Sequence, residues 1–330
     1  MRKARWISGG LAALSLGALC ASCSSGDSSG AGPAPESAGR LSFEQFPEYK
    51  VELLNYAHVK LTAECMKQAG YPQLAQAGVP EPDRARNLMR ITPARFGPPD
   101  EAHARRYGFG YEWNSPAQPP SVVSFDKSFD KSHERCQEDA WRKIGPSAKR
   151  LYSSINDLSN KLITDYGRQL QAHPEWTRLN KALLSCLAES GYRPVATPGG
   201  GAGPGKEGQG RDPGAAGAPA SSAGQPEPRS FGVRLGFGGR EESWRPTPRR
   251  GTVQVGPAIP ARAYVPTAEE VKFAVVYAEC NQSTGRTRTL TEISRKLQDE
   301  VMRRHETEFT ELTATLDTLV TRAATLIGRT

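Results

Sequence analysis

Residues 65–72 read Cys-Met-Lys-Gln-Ala-Gly-Tyr-Pro, and residues 186–194 read Cys-Leu-Ala-Glu-Ser-Gly-Tyr-Arg-Pro. In both stretches a glycine stands five positions after the cysteine and is followed directly by a tyrosine. Apolar residues at helical spacing precede each cysteine, so we expect a helix to end at each of these glycines. The similarity of the two stretches predicts an internal repeat, which decides the fold.

The features that follow each stretch also occur in the same order. A glycine–aromatic segment comes next, at residues 106–111 in the first copy and 231–237 in the second. A second cysteine, Cys136 or Cys280, then precedes a long helical pattern. We therefore predict a mainly helical α+β chain of two tandem repeats. Each repeat is ordered as helix, short glycine–aromatic strands, helix and long helix.

Apolar periodicity predicts the helices in more detail. Residues 267–270, Thr-Ala-Glu-Glu, form a capping-box sequence that should open the helix carrying Cys280. An apolar stripe over residues 151–170 predicts one long helix. A second stripe over residues 290–326 predicts another, which we expect to pack on its own repeat.

Glycine and proline, 33 and 26 of the 330 residues, are concentrated in two stretches. Residues 23–39 have the Ser/Gly/Pro/Ala composition of a flexible tether, and residues 196–230 have that of a disordered insert. The remaining composition is that of a globular protein and excludes a polytopic membrane protein. The predicted segments are a signal peptide at 1–22, the tether at 23–39, the first repeat at 40–172 and the second at 173–330.

The N-terminus predicts export. Three positive charges within residues 2–5 precede an uncharged stretch over residues 6–19, which is shorter than the roughly 20 residues of a membrane-spanning helix. Ala21 and Ser22 then precede Cys23, and this sequence resembles a bacterial lipoprotein cleavage box, whose cysteine receives a diacylglyceryl group. Cys20 is the rival attachment site. An ordinary secretory signal cleaved near Ala21 is the other alternative.

Export would place four further cysteines in an oxidising compartment, where an even number favours disulfides. Three pairings are possible. Since repeats should fold as equivalent units, we predict Cys65–Cys136 and Cys186–Cys280. A zinc site formed by Cys65, Cys136 and His133 is the disfavoured alternative.

The cysteine–glycine–tyrosine stretches, the lipoprotein signal and the sequence Pro-Thr-Ala-Glu-Glu at 266–270 resemble a group of actinobacterial surface lipoproteins. The resemblance is better over residues 176–327 than over residues 46–172. In the first copy, Cys136 lacks the Pro-Thr-Ala-Glu-Glu sequence before it. The resemblance implies an extracytoplasmic compartment and disulfides, and it implies no reaction.

Several short stretches match catalytic or phosphate-binding motifs in residue type and spacing alone. Residues 26–30 match the Gly-x-Ser-x-Gly nucleophile pattern, residues 203–208 match Gly-x-Gly-x-x-Gly, and residues 200–207 approach a phosphate-binding loop. Each of these chemistries requires a flanking strand and helix, which the tether and the insert do not offer. We therefore predict no catalytic residues and no cofactor.

The histidines show no metal-ligand spacing, so we predict no metal site. His305 lies on an apolar stripe and is expected to be a packed histidine. We predict a non-catalytic binding, sensing or accessory module of the cell envelope, anchored to the membrane on its extracytoplasmic face. The alternative is a hydrolase of wall or peptide substrates that uses His58 or His103 with nearby carboxylates.

Candidate binding residues are the aromatic side chains of the two glycine–aromatic segments, which could contact a sugar or a peptide. They are Tyr107, Phe109, Tyr111, Trp113, Phe231 and Phe237. The expected partners are the membrane, through the acyl anchor, and envelope proteins or wall polymers. Removal of residues 1–22 takes three basic residues from the 43 and leaves 40 against 35 acidic ones; this net charge of +5 is mild, and we expect no nucleic-acid partner.

Overall fold

A computed structural model describes residues 43–77, 81–84, 89–110, 117–195, 226–236, 244–261 and 263–328. The signal peptide and the tether lie outside the described residues, and so do Cys20 and Cys23. The motifs at 26–30, 200–207 and 203–208 also lie outside them. The end of the predicted insert is described, and there a 3-10 helix at Pro228–Phe231 replaces the expected disorder.

The described chain is mainly helical, as predicted, and contains one two-stranded sheet. The helices are α1 (Glu48–Gln68), α2 (Gln73–Gln76), α3 (Glu101–Tyr107), α4 (Lys127–Ile144), α5 (Ala148–Ala172), α6 (Pro174–Glu189), α7 (Ala268–Ser283), α8 (Arg286–Arg304) and α9 (Glu306–Leu326). The strands are β1 (Val122–Ser124) and β2 (Val253–Val255). No helix among the described residues is both long enough and apolar enough to cross a membrane.

Helices α1 and α6 end in the same way. Gly70 and Gly191 adopt φ values of +88° and +92°, a left-handed conformation that glycine reaches without a steric penalty. The tyrosine that follows each glycine donates its backbone N–H to the last turn, Tyr71 to the Met66 carbonyl and Tyr192 to the Leu187 carbonyl, both at 2.8 Å. These bonds satisfy carbonyl groups that a helix end leaves unpaired.

A disulfide and an aromatic contact join α1 to α4. Cys65 is bonded to Cys136, with their Cα atoms 5.6 Å apart. The Tyr71 ring meets the edge of Phe129, seven residues before Cys136, with a centroid distance of 5.1 Å. We call this arrangement the first cysteine clamp.

The second cysteine clamp joins α6 to α7 with the same components. Cys186 is bonded to Cys280, with their Cα atoms 5.7 Å apart. The Tyr192 ring meets Phe273, seven residues before Cys280, at 4.8 Å. The two bonded pairs are those expected from the repeat. Only the later cysteine of each pair is fully buried, whereas Cys65 and Cys186 are half-buried.

The predicted glycine–aromatic strands are wrong wherever the structure describes them. Tyr107 belongs to α3, and Phe231 belongs to a 3-10 helix. The strands lie later in the chain and pair antiparallel, with Val122 opposite Val255. Each half of the chain therefore contributes one strand to a shared sheet.

The long C-terminal helix is interrupted at His305, which separates α8 from α9. Helix α9 then packs against α1 and α5 rather than on its own half, which corrects the expectation. The break redirects the chain, so the apolar stripe of α9 faces the first half.

One hydrophobic core combines residues of both halves. It includes Leu54 of α1, Leu158 of α5, Leu179 of α6 and Leu316 of α9, all with at most 1% exposure. Helix α5 also packs on α8, and α3 packs on α7. The two halves therefore interlock through this core, while a smaller apolar cluster around each disulfide draws its buried residues from one half.

Candidate functional site

The two glycine–aromatic segments meet at the N-terminal part of α7. Phe109 and Phe231 pack against Phe273, with ring centroids 5.6 and 5.1 Å away. Tyr277 also contacts Phe109, edge to face, at 5.1 Å. Phe231 is only 8% exposed and Phe109 is half-buried, so both contribute to the core.

Tyr107 is half-buried, as Phe109 is, and its ring contacts side chains of its own helix. The guanidinium of Arg106 lies over its ring at 5.0 Å, and the His103 ring is 4.9 Å away. Helix α3 is held on α7 through Ala104, which packs with Ala274. Tyr111, Trp113 and Phe237 lie outside the described residues.

A buried carboxylate connects the same segments to α7. Glu270 Oε1 accepts the backbone N–H of Phe109 at 2.8 Å, and Oε2 accepts that of Gly236 at 2.6 Å. The Tyr264 hydroxyl donates to this carboxylate at 2.7 Å. Together these residues form what we call the Glu270 clasp. It joins chain segments that are 161 and 34 residues from Glu270 in sequence.

The clasp explains the glycines of the two segments. A Cβ atom at Gly108, where φ is +57°, would collide with the Glu270 carboxyl group. A Cβ atom at Gly236 would collide with the backbone of Val265. Glycine therefore lets the chain approach the carboxylate closely enough for its N–H groups to bind.

Thr267 caps α7 as the capping-box sequence predicts, whereas Glu270 does not play its expected part in the box. Thr267 Oγ1 accepts the backbone N–H of Glu270 at 3.0 Å, as a cap should. The Glu270 carboxylate does not complete the box and binds the distant segments instead. Burial, together with the adjacent carboxylate, raises the pKa of Tyr264, so its hydroxyl keeps the proton that it donates.

We expect Glu270→Ala to lower the free energy of unfolding by about 3–5 kcal/mol, because it leaves two backbone N–H groups and a phenol without their acceptor. Glu269→Ala is the matched control, since Glu269 is exposed on the same helical turn, and it should cost less than about 1 kcal/mol. Urea unfolding followed by circular dichroism measures both. Equal effects of the two variants would contradict the clasp.

A second buried polar cluster surrounds Arg286, whose side chain is fully buried. Its Nε donates to Asn180 Oδ1 at 2.9 Å, and one terminal nitrogen donates to the Phe96 carbonyl at 2.8 Å and to Asn281 Oδ1 at 3.2 Å. Burial lowers the pKa of Arg286. Its partners are neutral oxygens, and they tie α6, α7 and the 93–96 turn to the start of α8.

The His58 side chain is buried within the first half of the chain. Its ring stacks on Trp141 with centroids 4.1 Å apart, and the residue is 7% exposed. Burial is the main cause that lowers its pKa to about 4. Within the described part of the chain, Nε2 has no hydrogen-bond partner. This geometry gives His58 no contact with an external substrate.

His305 lies at the junction of α8 and α9 as a half-buried residue, in agreement with the packed histidine expected. Its Nε2 is 3.4 Å from Asp165 Oδ2, and its Nδ1 is 3.5 Å from Glu308 Oε2. Across the described ranges, no three His, Cys, Asp or Glu side chains are grouped as metal ligands.

His58 should make stability depend on pH. Because the folded-state pKa of about 4 lies below the ordinary 6.5, the unfolded state binds the proton more readily between these values. Stability should therefore fall as the pH drops from about 6.5 towards 4.

The variant His58→Phe keeps the stacking on Trp141 and removes the titrating group. Between pH 7 and 4.5, urea titrations should show the wild type losing about 2 kcal/mol more than the variant. Parallel pH profiles would contradict the assignment.

No family model matches the chain, and no curated protein or solved structure is significantly similar to it. Functional inference therefore rests on the residues and contacts described above.

Proposed function

We propose that the protein is exported, acylated at Cys23, and held at the extracytoplasmic face of the cell membrane as a non-catalytic binding or accessory module. The observation that carries this proposal is the pairing of Cys65 with Cys136 and of Cys186 with Cys280. Structural disulfides persist in oxidising compartments and are rare in the cytosol of most organisms. They support the same compartment as the signal sequence.

We also propose that the chain consists of two tandem repeats that have become interlocked. Three features support this duplication: the matched helix ends at Gly70 and Gly191, the two cysteine clamps, and the equal Phe-to-Cys spacing on α4 and α7. The shared core and the mixed sheet would then have formed after the duplication.

The proposed binding face is the C-terminal turn of α3. It presents Tyr107 with the Arg106 guanidinium over its ring, and Arg105 stands beside them in an ion pair with Glu101. An aromatic ring flanked by guanidinium groups suits a sugar or an anionic peptide of the envelope. Helix α3 packs on α7, and the Glu270 clasp holds the residues that follow it, so the binding face is preorganised.

Metabolic labelling with a fatty acid tests the anchor. Cells that produce the wild-type protein should label it, Cys23→Ala should abolish the label, and the control Cys20→Ala should retain at least part of it. Label that persists in Cys23→Ala would show that the acyl group is attached to Cys20 or to another residue. An unlabelled wild-type protein would overturn the anchoring.

A further inference from the structure

Residues 244–252 form an exposed basic segment, which we call the arginine arm. Arg245, Arg249 and Arg250 are all exposed. From Trp244 to Ala268 the sequence contains four arginines and no acidic residue. We propose that the arginine arm docks on the anionic phospholipid headgroups of the membrane to which the chain is anchored, a step that rests on the proposed acylation.

The arm is fixed in shape before it meets a partner. Thr247 donates its backbone N–H to Gln254 Oε1 at 3.0 Å, and Gln254 Nε2 donates back to the Thr247 carbonyl at 2.5 Å. Thr252 Oγ1 donates to the Arg249 carbonyl at 2.7 Å. Pro246 and Pro248 restrict the backbone between these bonds. Little backbone entropy is therefore lost when the arm binds.

The arm also belongs to the folded body. Gly251 donates its backbone N–H to the Phe125 carbonyl at 2.9 Å, and Phe125 donates to the Thr252 carbonyl at 2.8 Å. These bonds continue the ladder in which β2 pairs with β1. A surface that binds the arm therefore orients the helical body as well.

No acidic side chain of the described residues neutralises the three guanidinium groups of the arm. Some exposed arginines pair with an acidic residue on their own helix, as Arg105 does with Glu101 and Arg178 does with Glu175. Within the described residues, Arg245, Arg249 and Arg250 form no such pair. A surface of negative charge would supply the missing counterions.

The position of the anchor favours lipid over a soluble polyanion as the occupant. About 20 residues separate Cys23 from Phe43, and a Gly/Ser-rich chain of that length spans roughly 25 Å on average. The acyl group would thus keep the folded body, which carries the arm, at a high effective concentration beside the membrane. The diacylglyceryl group carries two acyl chains and is enough for stable attachment, so the arm would serve to orient the folded body on the membrane.

Vesicle sedimentation with the unacylated chain tests the arm separately from the anchor. The protein is the chain from residue 23 onward with Cys23→Ser, mixed with vesicles of phosphatidylcholine alone or with added phosphatidylglycerol. We expect binding only to the anionic vesicles and release by high salt. Changing Arg245, Arg249 and Arg250 to Gln should lower the partition coefficient roughly one hundred-fold, on the order of fivefold for each arginine.

The matched control changes Arg295, Arg303 and Arg304 to Gln, which removes the same charge from an exposed part of α8. It should retain binding to within about threefold if the site is local. Equal losses in the two triple variants, binding to neutral vesicles, or binding to a wall polyanion without binding to anionic vesicles would overturn the proposal. Because no acyl group is present, a failure of the fatty-acid labelling would leave these results unchanged.

Discussion

The cysteine clamp is the interaction on which the rest of the structure depends. In each half it joins the helix before a glycine–aromatic segment to the helix that follows that segment, through one disulfide and one Tyr–Phe contact. Closing loops of 71 and 94 residues in this way contributes roughly 4–5 kcal/mol each in the chain-entropy view. The chain between the clamped helices is thereby held near α7, where the Glu270 carboxylate binds both segments.

The interlocking of the halves gives the candidate binding face its rigidity. Helix α3 comes from the first half but packs on α7 of the second, and α9 covers α1 in return. Because β1 and β2 also come from different halves, the arginine arm is attached to both. The proposed ligand face on α3 and the proposed membrane surface on the arm therefore belong to one packed body and not to two domains joined by a linker.

Local patterns predicted what depends on local chemistry. The buried stripe of α5, from Leu151 to Leu170, and the Thr267 cap of α7 follow from helical spacing and capping preference. The clasp could not be predicted, since its donors at Phe109 and Gly236 lie far from Glu270 in sequence and are backbone groups that any residue offers. The feature of the sequence that pointed to the clasp was the glycine in each glycine–aromatic segment. The break at His305 was missed because the apolar stripe continues through it.

We propose that the chain is exported and that two cysteine clamps of the same construction hold it together. Non-reducing peptide mapping tests this proposal most directly, on protein isolated from the envelope of its own cells with free thiols blocked at lysis. We expect one peptide pair that links Cys65 to Cys136 and another that links Cys186 to Cys280. Free thiols at these positions, or a link from Cys65 to Cys186 or Cys280, would contradict this proposal.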